Sequence, residues 1–504
     1  MKWVLKSGRP GSKNRRWKSA EPVPETFYWH DYETFGADPS RDRPVQFAGL
    51  RTDAELNPIG EPLVIFSRPA NDFLPHPQAC LITGISPQQA LAEGVPEAEF
   101  IARIHRELAQ PGTCGVGYNS LRFDDEVTRY TLYRNFYDPY AREWQNGNSR
   151  WDIIDMVRAC HALRPDGINW PLREDGLPSF RLEELTAANG IAHDAAHDAL
   201  SDVHATIALA RLVRERQPRL FDYVLRHRDK KSAAAMLDVN SMKPVLHVSG
   251  MFGAQHDNIA LIAPLAMHPT NKNEVICFDL MADPAVLVEE SAATICERLY
   301  TRNKDLPEGI ARPGLKTVHL NRCPLLVTAK MADPETASRL GISGDRCRKH
   351  LAVLREFRAA DAGAFEHKLQ SVYSRREYQE ITDPDRMLYS GGFFSAADKR
   401  LMDQVRDSAP EELANSSYPF EDSRLPEMLF RYRARNFPDS LSGEERAQWE
   451  EYRFQRLTEP GEGASLCMED YQHMIEALVA SGELSSEQCQ LMEQLLEYGD
   501  SLLV

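Results

Sequence analysis

The chain has 504 residues, of which 42% are hydrophobic and 27% are charged. This balance is typical of globular proteins and excludes a disordered chain, and the length predicts about three domains. The net charge of −16 argues against a protein that coats nucleic acid, and no apolar run reaches the roughly 18 residues that a membrane-spanning helix needs.

The N-terminus, residues 1–24, is predicted to be a basic, flexible extension. Residues 1–20 contain seven Lys and Arg and no acidic residue, but they lack the apolar centre of a secretory signal. Two further basic stretches, Arg150–Arg181 and Arg211–Lys231, allow a basic channel in a protein that is acidic overall. Solvated helix faces are the alternative interpretation of each stretch.

An α/β pattern begins at Phe27. The segment FYWHDYETFG is rich in aromatic residues and predicts a strand, and residues 60–69 are predicted to be its hairpin partner. Apolar residues recur at helical spacing over residues 96–108 and 202–216, which predicts two helices. Strands that alternate with helices indicate a sheet covered by helices.

The pattern changes near Gln217-Pro218. Residues 242–330 are rich in predicted strands, with a hairpin turn at HPTNKN, and the C-terminal part of the chain is charged and helical. We therefore predict four segments: the basic extension at 1–24, an α/β domain at 25–217, a β-rich domain at 218–373 and a helical domain at 374–504.

The nine cysteines are scattered, and no C-x-x-C pair occurs. An odd count without paired spacing argues against a disulfide framework and against a cysteine zinc site. A reducing cytoplasm is the expected location.

Three motifs contain the candidate residues for chemistry. In the first, His30–Glu33, a strand would place Asp31 and Glu33 on one face, about 7 Å apart. Two negative charges at this separation repel each other, which favours a cation bound between them, and oxygen ligands suit Mg²⁺ or Mn²⁺. The other motifs are Phe123–Glu126 and His197–Asp202. Taken alone, each motif also fits solvated acids or groups at a helix start.

Taken together in this order, the motifs resemble the DEDDh exonuclease superfamily, which has a ribonuclease-H-like fold. The segments HDYETFG, GYNSLRFDDEVTRY, GLPSFRLEELT, KPVLHVSGMFGA and RYRARNFP further resemble the bacterial exodeoxyribonuclease I family, over about residues 26–504. The resemblance implies an α/β ribonuclease-H-like exonuclease domain, then a β-rich SH3-like barrel domain and an all-α C-terminal domain.

The resemblance also implies the residues of the reaction. The metal ligands would be Asp31, Glu33, Asp124 and Asp202. His197 would be the general base, and Asp125 is a rival of Asp124, although the acid of the family motif directly follows Phe123. The implied reaction is processive 3′-to-5′ hydrolysis of single-stranded DNA to nucleoside 5′-monophosphates, with two Mg²⁺ ions for which Mn²⁺ is a plausible substitute, in DNA repair and recombination.

Binding residues are implied in the same way. The substrate contacts would be Glu33, Arg181, Arg129, Tyr140, Trp144, Arg158 and Lys230. Core packing is the alternative role of Tyr140 and Trp144. The acidic C-terminal tail of single-stranded DNA-binding protein would bind at Arg164, Tyr223, Lys243 and Arg355, for which ordinary surface charge is the alternative. The resemblance implies a monomer, and we expect it to be cytoplasmic and nucleoid-associated with no membrane partner.

Two other functions stay open. An oligoribonuclease or a proofreading-type DEDDh nuclease shares the catalytic acids, but such proteins are usually shorter or attached to polymerases. A non-catalytic DNA-binding scaffold is the second alternative, and it should have lost a carboxylate or the histidine.

Overall fold

The computed structural model describes residues 25–193, 198–374, 380–461 and 463–503. The basic extension and His197 therefore lie outside the described residues. Among the helices that are described, none is both long enough and apolar enough to cross a membrane.

A five-stranded sheet forms the centre of the first domain. Its strands are β1 (Thr26–Thr34), β2 (Pro44–Thr52), β3 (Leu63–Phe66), β4 (Thr113–Gly117) and β5 (Ser149–Asp152). They lie in the order β3-β2-β1-β4-β5, and β1 pairs antiparallel with β2 and parallel with β4. The predicted α/β domain is confirmed, and β1, which carries the first motif, is its central strand.

Helices cover this sheet. They are α1 (Pro77–Thr83), α2 (Pro87–Glu93), α3 (Glu97–Leu108), α4 (Asp124–Arg134), α5 (Ile154–Leu163), α6 (Leu182–Ala188) and α7 (Ala199–Arg216). The predicted helices at 96–108 and 202–216 are confirmed as α3 and α7. The apolar face of α7 is buried in one core with Trp29 and Leu50 of the sheet, which holds the start of α7 beside β1.

The predicted hairpin partner of β1 is wrong. Residues 60–69 contain β3, which pairs with β2, whereas β2 itself lies directly beside β1. Nearly every residue of β2 is buried, so its sequence lacks the alternation of polar and apolar residues that marks a half-exposed strand.

The second domain contains a five-stranded antiparallel sheet in the order β10-β6-β7-β8-β9. The strands are β6 (Val245–Val248), β7 (Ile259–Met267), β8 (Glu274–Asp279), β9 (Leu315–His319) and β10 (Leu325–Thr328). The predicted turn at 268–273 joins β7 to β8. The helices before and around this sheet are α8 (Pro218–Arg226), α9 (Lys230–Met236), α10 (Ala285–Glu289), α11 (Ala292–Tyr300), α12 (Pro334–Arg339), α13 (Gly344–Ala360) and α14 (Ala362–Tyr373).

The third domain is helical, as predicted, and its described residues contain no strand. Its helices are α15 (Ala396–Asp407), α16 (Pro410–Asn415), α17 (Arg424–Asn436), α18 (Gly443–Thr458), α19 (Met468–Ala480) and α20 (Ser486–Ser501). It shares two apolar cores with the first domain: Tyr133 of α4 packs with Met428 of α17, and Phe73 packs with Tyr471 of α19.

A buried ion cluster also joins the first and third domains. Asp72 is fully buried, and its carboxylate lies 2.8 Å from Arg435 Nη2 and 3.5 Å from Arg456 Nε. Arg435 also lies 2.8 Å from Asp385. Burial alone would raise the pKa of Asp72, but the two arginines hold it well below its usual value.

Candidate active site

Three carboxylates from two elements meet at the C-terminal half of β1. Asp31 and Glu33 project from the same face of the strand, as their spacing predicts, and Asp202 comes from the first turn of α7. One carboxylate oxygen of each of these three residues lies within 4.8 Å of the others. The contact of α7 with β1 brings together acids that are about 170 positions apart in the sequence.

The fourth predicted ligand, Asp124, joins this group. It is the first residue of α4, and its Oδ1 accepts a hydrogen bond of 3.1 Å from the backbone N–H of Tyr32, between Asp31 and Glu33. All four predicted ligands line one cleft of about 1610 Å³. We call Asp31, Glu33, Asp124 and Asp202 the carboxylate cluster.

The rival residue Asp125 faces elsewhere. Its carboxylate is buried and lies 2.6 Å from Arg142 and 2.9 Å from Arg150. Burial would raise the pKa of Asp125, but the two arginines lower it. Asp125 is therefore neutralised within the protein and does not line the cleft, whereas Asp124 does.

The carboxylate cluster is electrostatically unfavourable without a cation. Burial, and then the neighbouring carboxylates Asp124, Glu33 and Asp202, raise the pKa of Asp31 well above its usual value. Burial and the same kind of repulsion raise the pKa of Glu33 to about 8. Four crowded oxygen donors of this kind fit hard divalent cations.

The predicted general base cannot be placed, because His197 lies outside the described residues. Within the described residues, His193 contacts the carboxylate cluster, and its Nε2 lies 2.5 Å from Asp202 Oδ1. Sequence reasoning missed it, although a signal exists: HDAAHDALSD contains the pattern H-x-A-x-x-D twice, from His193 to Asp198 and from His197 to Asp202. Asp198 caps the N-terminus of α7.

Two predicted DNA contacts lie at the cleft. Arg181, directly before α6, lines the cleft with a side chain that is 73% exposed. Arg158 of α5 lines the cleft as well, paired with Asp155 at 2.7 Å and lying over the ring of Phe180. Both arginines thus line the same cleft as the carboxylate cluster.

Arg129 differs from an exposed DNA contact. Its guanidinium is buried and bonds Glu143 at 2.7 and 2.9 Å and Glu126 at 2.8 Å. It also lies 5.3 Å from the centre of the Tyr140 ring. In this structure Arg129 therefore packs against the Tyr140 ring inside a network of ion pairs.

The aromatic residues form a partly exposed group. Trp144 is 66% exposed, which excludes core packing as its role in this structure. Tyr140 is only partly buried, and its ring contacts those of Tyr389 and Phe393 from the third domain. Phe393 is 87% exposed. These last two residues are candidates that sequence reasoning missed, because only the tertiary structure places them beside Tyr140.

The remaining predicted contacts lie on the second domain or beside it. Lys230 donates to Asn273 on the turn between β7 and β8 at 2.5 Å. Arg164 donates to the carbonyl of Met331, and the Tyr223 hydroxyl donates to the carbonyl of Leu326.

The last two predicted tail contacts are Arg355 and Lys243. Arg355 is exposed and donates to the carbonyl of Ser241, two residues before the exposed Lys243. The structure thus places each of these hydrogen-bonding residues against a carbonyl of the second domain: Met331 for Arg164, Leu326 for Tyr223 and Ser241 for Arg355.

The sheet and the carboxylate cleft define an exonuclease, and the chain matches a family model described as exonuclease over residues 28–210. Models described as the exonuclease I SH3-like domain and the exonuclease I C-terminal domain match residues 228–375 and 382–502. Exonucleases of this kind generally use divalent metal ions.

Individual proteins of known name are similar to this chain over nearly its whole length. Exodeoxyribonuclease I of Escherichia coli K12 is 49% identical over 479 residues, which are 95% of this chain and 98% of that protein. The structure of a moderately thermophilic exonuclease I from Methylocaldum szegediense is 51% identical, with a TM-score of 0.90, over 95% of this chain and 100% of that one. A zinc-bound E. coli exonuclease I–single-stranded DNA complex is 48% identical, with a TM-score of 0.90, over 96% and 100% of the two chains. The chain belongs to the exodeoxyribonuclease I family.

Proposed function

We propose that this protein is a processive 3′-to-5′ exonuclease that hydrolyses single-stranded DNA to nucleoside 5′-monophosphates with two Mg²⁺ ions. The carboxylate cluster, at the base of an open cleft lined by arginines, is the observation that carries the proposal. The E. coli relative solved with single-stranded DNA supports the choice of substrate.

The residues present fit a pair of divalent ions. Asp31, Glu33 and Asp202 already bring oxygen atoms within 4.8 Å of one another, and Asp124 adds a fourth carboxylate. Bound divalent ions would acidify a water molecule and neutralise the charge that develops on the phosphate and on the leaving 3′ oxygen. Mg²⁺ prefers such carboxylate oxygens, and Mn²⁺ is a plausible substitute.

The proton of the attacking water needs an acceptor. We assign this role to His197, because imidazole titrates near neutral pH and His197 precedes α7, the helix that carries Asp202. The substitution His197→Ala is expected to keep DNA binding and to lower turnover by roughly 10²-fold or more. Near-normal turnover would remove His197 from the mechanism.

The chain's own cations position the strand. Arg181 and Arg158, at the cleft, would hold the phosphates of the last nucleotides, and Glu33 would contact the terminal nucleotide. Further from the cluster, Tyr140 and Trp144 offer ring faces on which bases stack. Counterions released by Lys and Arg contacts make such binding salt-dependent, with a slope of about −0.7 per phosphate on single strands.

Contacts among the three domains support processive action. Glu126 of α4 accepts a hydrogen bond from the Tyr389 hydroxyl of the third domain, and it lies 3.9 Å from Arg322 of the second domain. Because these contacts are made two residues after Asp124 in α4, a strand held between the domains would not leave easily after each cut.

A partner interaction follows from the charges at the second sheet. We propose that the acidic tail of single-stranded DNA-binding protein binds near Arg164, Tyr223, Lys243 and Arg355. An acidic peptide needs cations beside a partly apolar surface. Titration of a tail peptide tests this: Arg355→Ala is expected to weaken binding, and unchanged affinity counts against the assignment.

The cellular setting is also a proposal. A role in DNA repair and recombination follows from the substrate, and a monomer from the family. A cytoplasmic location fits the nine cysteines, all of which are free, and association with the nucleoid is proposed from the DNA substrate.

Digestion of end-labelled oligonucleotides tests the proposed function directly. In Mg²⁺, an excess of a 5′-labelled single strand should be shortened to short limit products with few intermediates, with little cutting of a blunt duplex and none in EDTA. Asp31→Asn should be inactive. Preferred cutting of RNA would favour the oligoribonuclease alternative, activity in EDTA would contradict metal use, and DNA binding without any hydrolysis would favour the scaffold.

A further inference from the structure

His193 occupies a position between two helices. Its Nε2 lies 2.5 Å from Asp202 Oδ1 on α7, and its Nδ1 lies 3.1 Å from Thr186 Oγ1 on α6. The His193 side chain is only 5% exposed. Both ring nitrogens therefore have protein partners, and the ring is held inside the protein.

The partner on α6 is itself fixed. The Thr186 hydroxyl is buried and lies 2.9 Å from the carbonyl oxygen of Leu182 and 3.0 Å from that of Glu183. A hydroxyl has one hydrogen to donate, and a carbonyl can only accept it. That hydrogen can also go to the Nδ1 of His193, which is an acceptor in a neutral ring whose Nε2–H donates to Asp202.

This arrangement restricts how the Asp202 carboxylate is oriented. A carboxylate in the first turn of a helix can rotate about its side-chain bonds, and a hydrogen bond to one oxygen restricts that rotation. Groups that hydrogen-bond to metal ligands orient those ligands and raise their affinity for the metal, and their removal typically costs 10–100-fold in affinity or activity.

We propose that His193 is a positioning residue, which acts through Asp202 and, supported by Thr186, pre-orients the carboxylate cluster for a divalent cation. The inference rests on the proposed function, because it assumes that Asp202 is a metal ligand. It gives the two histidines of HDAAHDALSD different roles: His197 is the proposed general base, and His193 holds a ligand in place.

The test is the affinity of the full-length protein for Mn²⁺ without DNA, measured by electron paramagnetic resonance of the free ion. His193→Ala is expected to weaken binding 10–100-fold. His193→Gln keeps an amide N–H at about the reach of Nε2 and should restore the affinity to within roughly threefold of the wild type, by that same hydrogen bond. Thr186→Val, which keeps the imidazole, should have an intermediate effect.

A matched control is His350→Ala in α13, which removes a half-buried, hydrogen-bonded histidine outside the cleft and should leave Mn²⁺ affinity unchanged. Unfolding midpoints establish that each variant is folded. The inference is overturned if folded His193→Ala binds Mn²⁺ like the wild type, or if His193→Gln is as weak as His193→Ala. Wild-type protein that binds no Mn²⁺ would instead overturn the proposed function.

Discussion

Replacing Glu33 by Gln is expected to stabilise the protein when no metal is bound, although it should abolish hydrolysis. Glu33 is buried beside Asp202 and Asp124, and burial followed by these neighbours raises its pKa from 4.5 to about 8. An amide of the same size removes the charge that this environment opposes.

The magnitude follows from linkage. A carboxyl whose pKa is raised by folding binds its proton more tightly in the folded state, so stability is unaffected below pH 4.5 and falls as the pH rises toward 8. Each pH unit between 4.5 and the working pH costs about 1.36 kcal/mol of stability. At pH 7 the ionisation of Glu33 therefore lowers the free energy of unfolding by about 3 kcal/mol.

Urea unfolding in EDTA, followed by tryptophan fluorescence, measures this effect, because Trp29 and Trp151 are buried in the core of the same domain. Glu33→Gln should raise the midpoint at pH 7, and the difference from wild type should shrink toward pH 4.5. Mn²⁺ should stabilise the wild type and have a smaller effect on the variant. Glu61→Gln, at an exposed position of the same domain, is the control. A variant that is no more stable than the wild type in EDTA at pH 7 would refute the reasoning.

Three further substitutions test other parts of the structure. Asp72→Asn should lower the free energy of unfolding by about 3 kcal/mol, the lower end for a broken buried ion pair, because Arg435 keeps a second carboxylate partner; an unchanged urea midpoint would contradict this. Asp125→Asn should reduce stability and keep Mn²⁺ binding, whereas Asp124→Asn should lose it, and calorimetric titrations that do not differ would speak against the assignment. Trp144→Ala should weaken binding of a single-stranded oligonucleotide by about 1–3 kcal/mol; equal fluorescence anisotropy curves would exclude stacking.

Local rules were sufficient for part of the site. The period of two in a strand places Asp31 and Glu33 on one face, and helical periodicity finds α3 and α7. These features depend only on neighbours in the sequence, so the sequence predicts them well.

Other features depend on distant contacts. The choice between Asp124 and Asp125 follows from where α4 begins and from arginines 17 and 25 positions away. Arginine is a residue type that often contacts DNA, but Arg129 is buried in ion pairs with Glu143 and Glu126. No local pattern distinguishes these outcomes, because the partners meet only after the chain folds.

The same limit applies to β2 and to His193. The almost fully buried strand β2 has no alternating pattern, so the sequence indicates the next stretch along the chain as the hairpin partner instead. His193 belongs to an overlapping copy of the motif H-x-A-x-x-D, and the sequence does not show that it contacts Asp202. That contact is visible only in the folded structure.

A crystal soaked in Mn²⁺ tests the central claim most directly, because the anomalous signal locates the ions without reference to activity. We expect ions between Asp31, Glu33 and Asp202, with Asp124 beside them. Well-occupied Mn²⁺ sites that all lie elsewhere, with these four carboxylates pointing apart, would contradict the claim that the carboxylate cluster binds the metal.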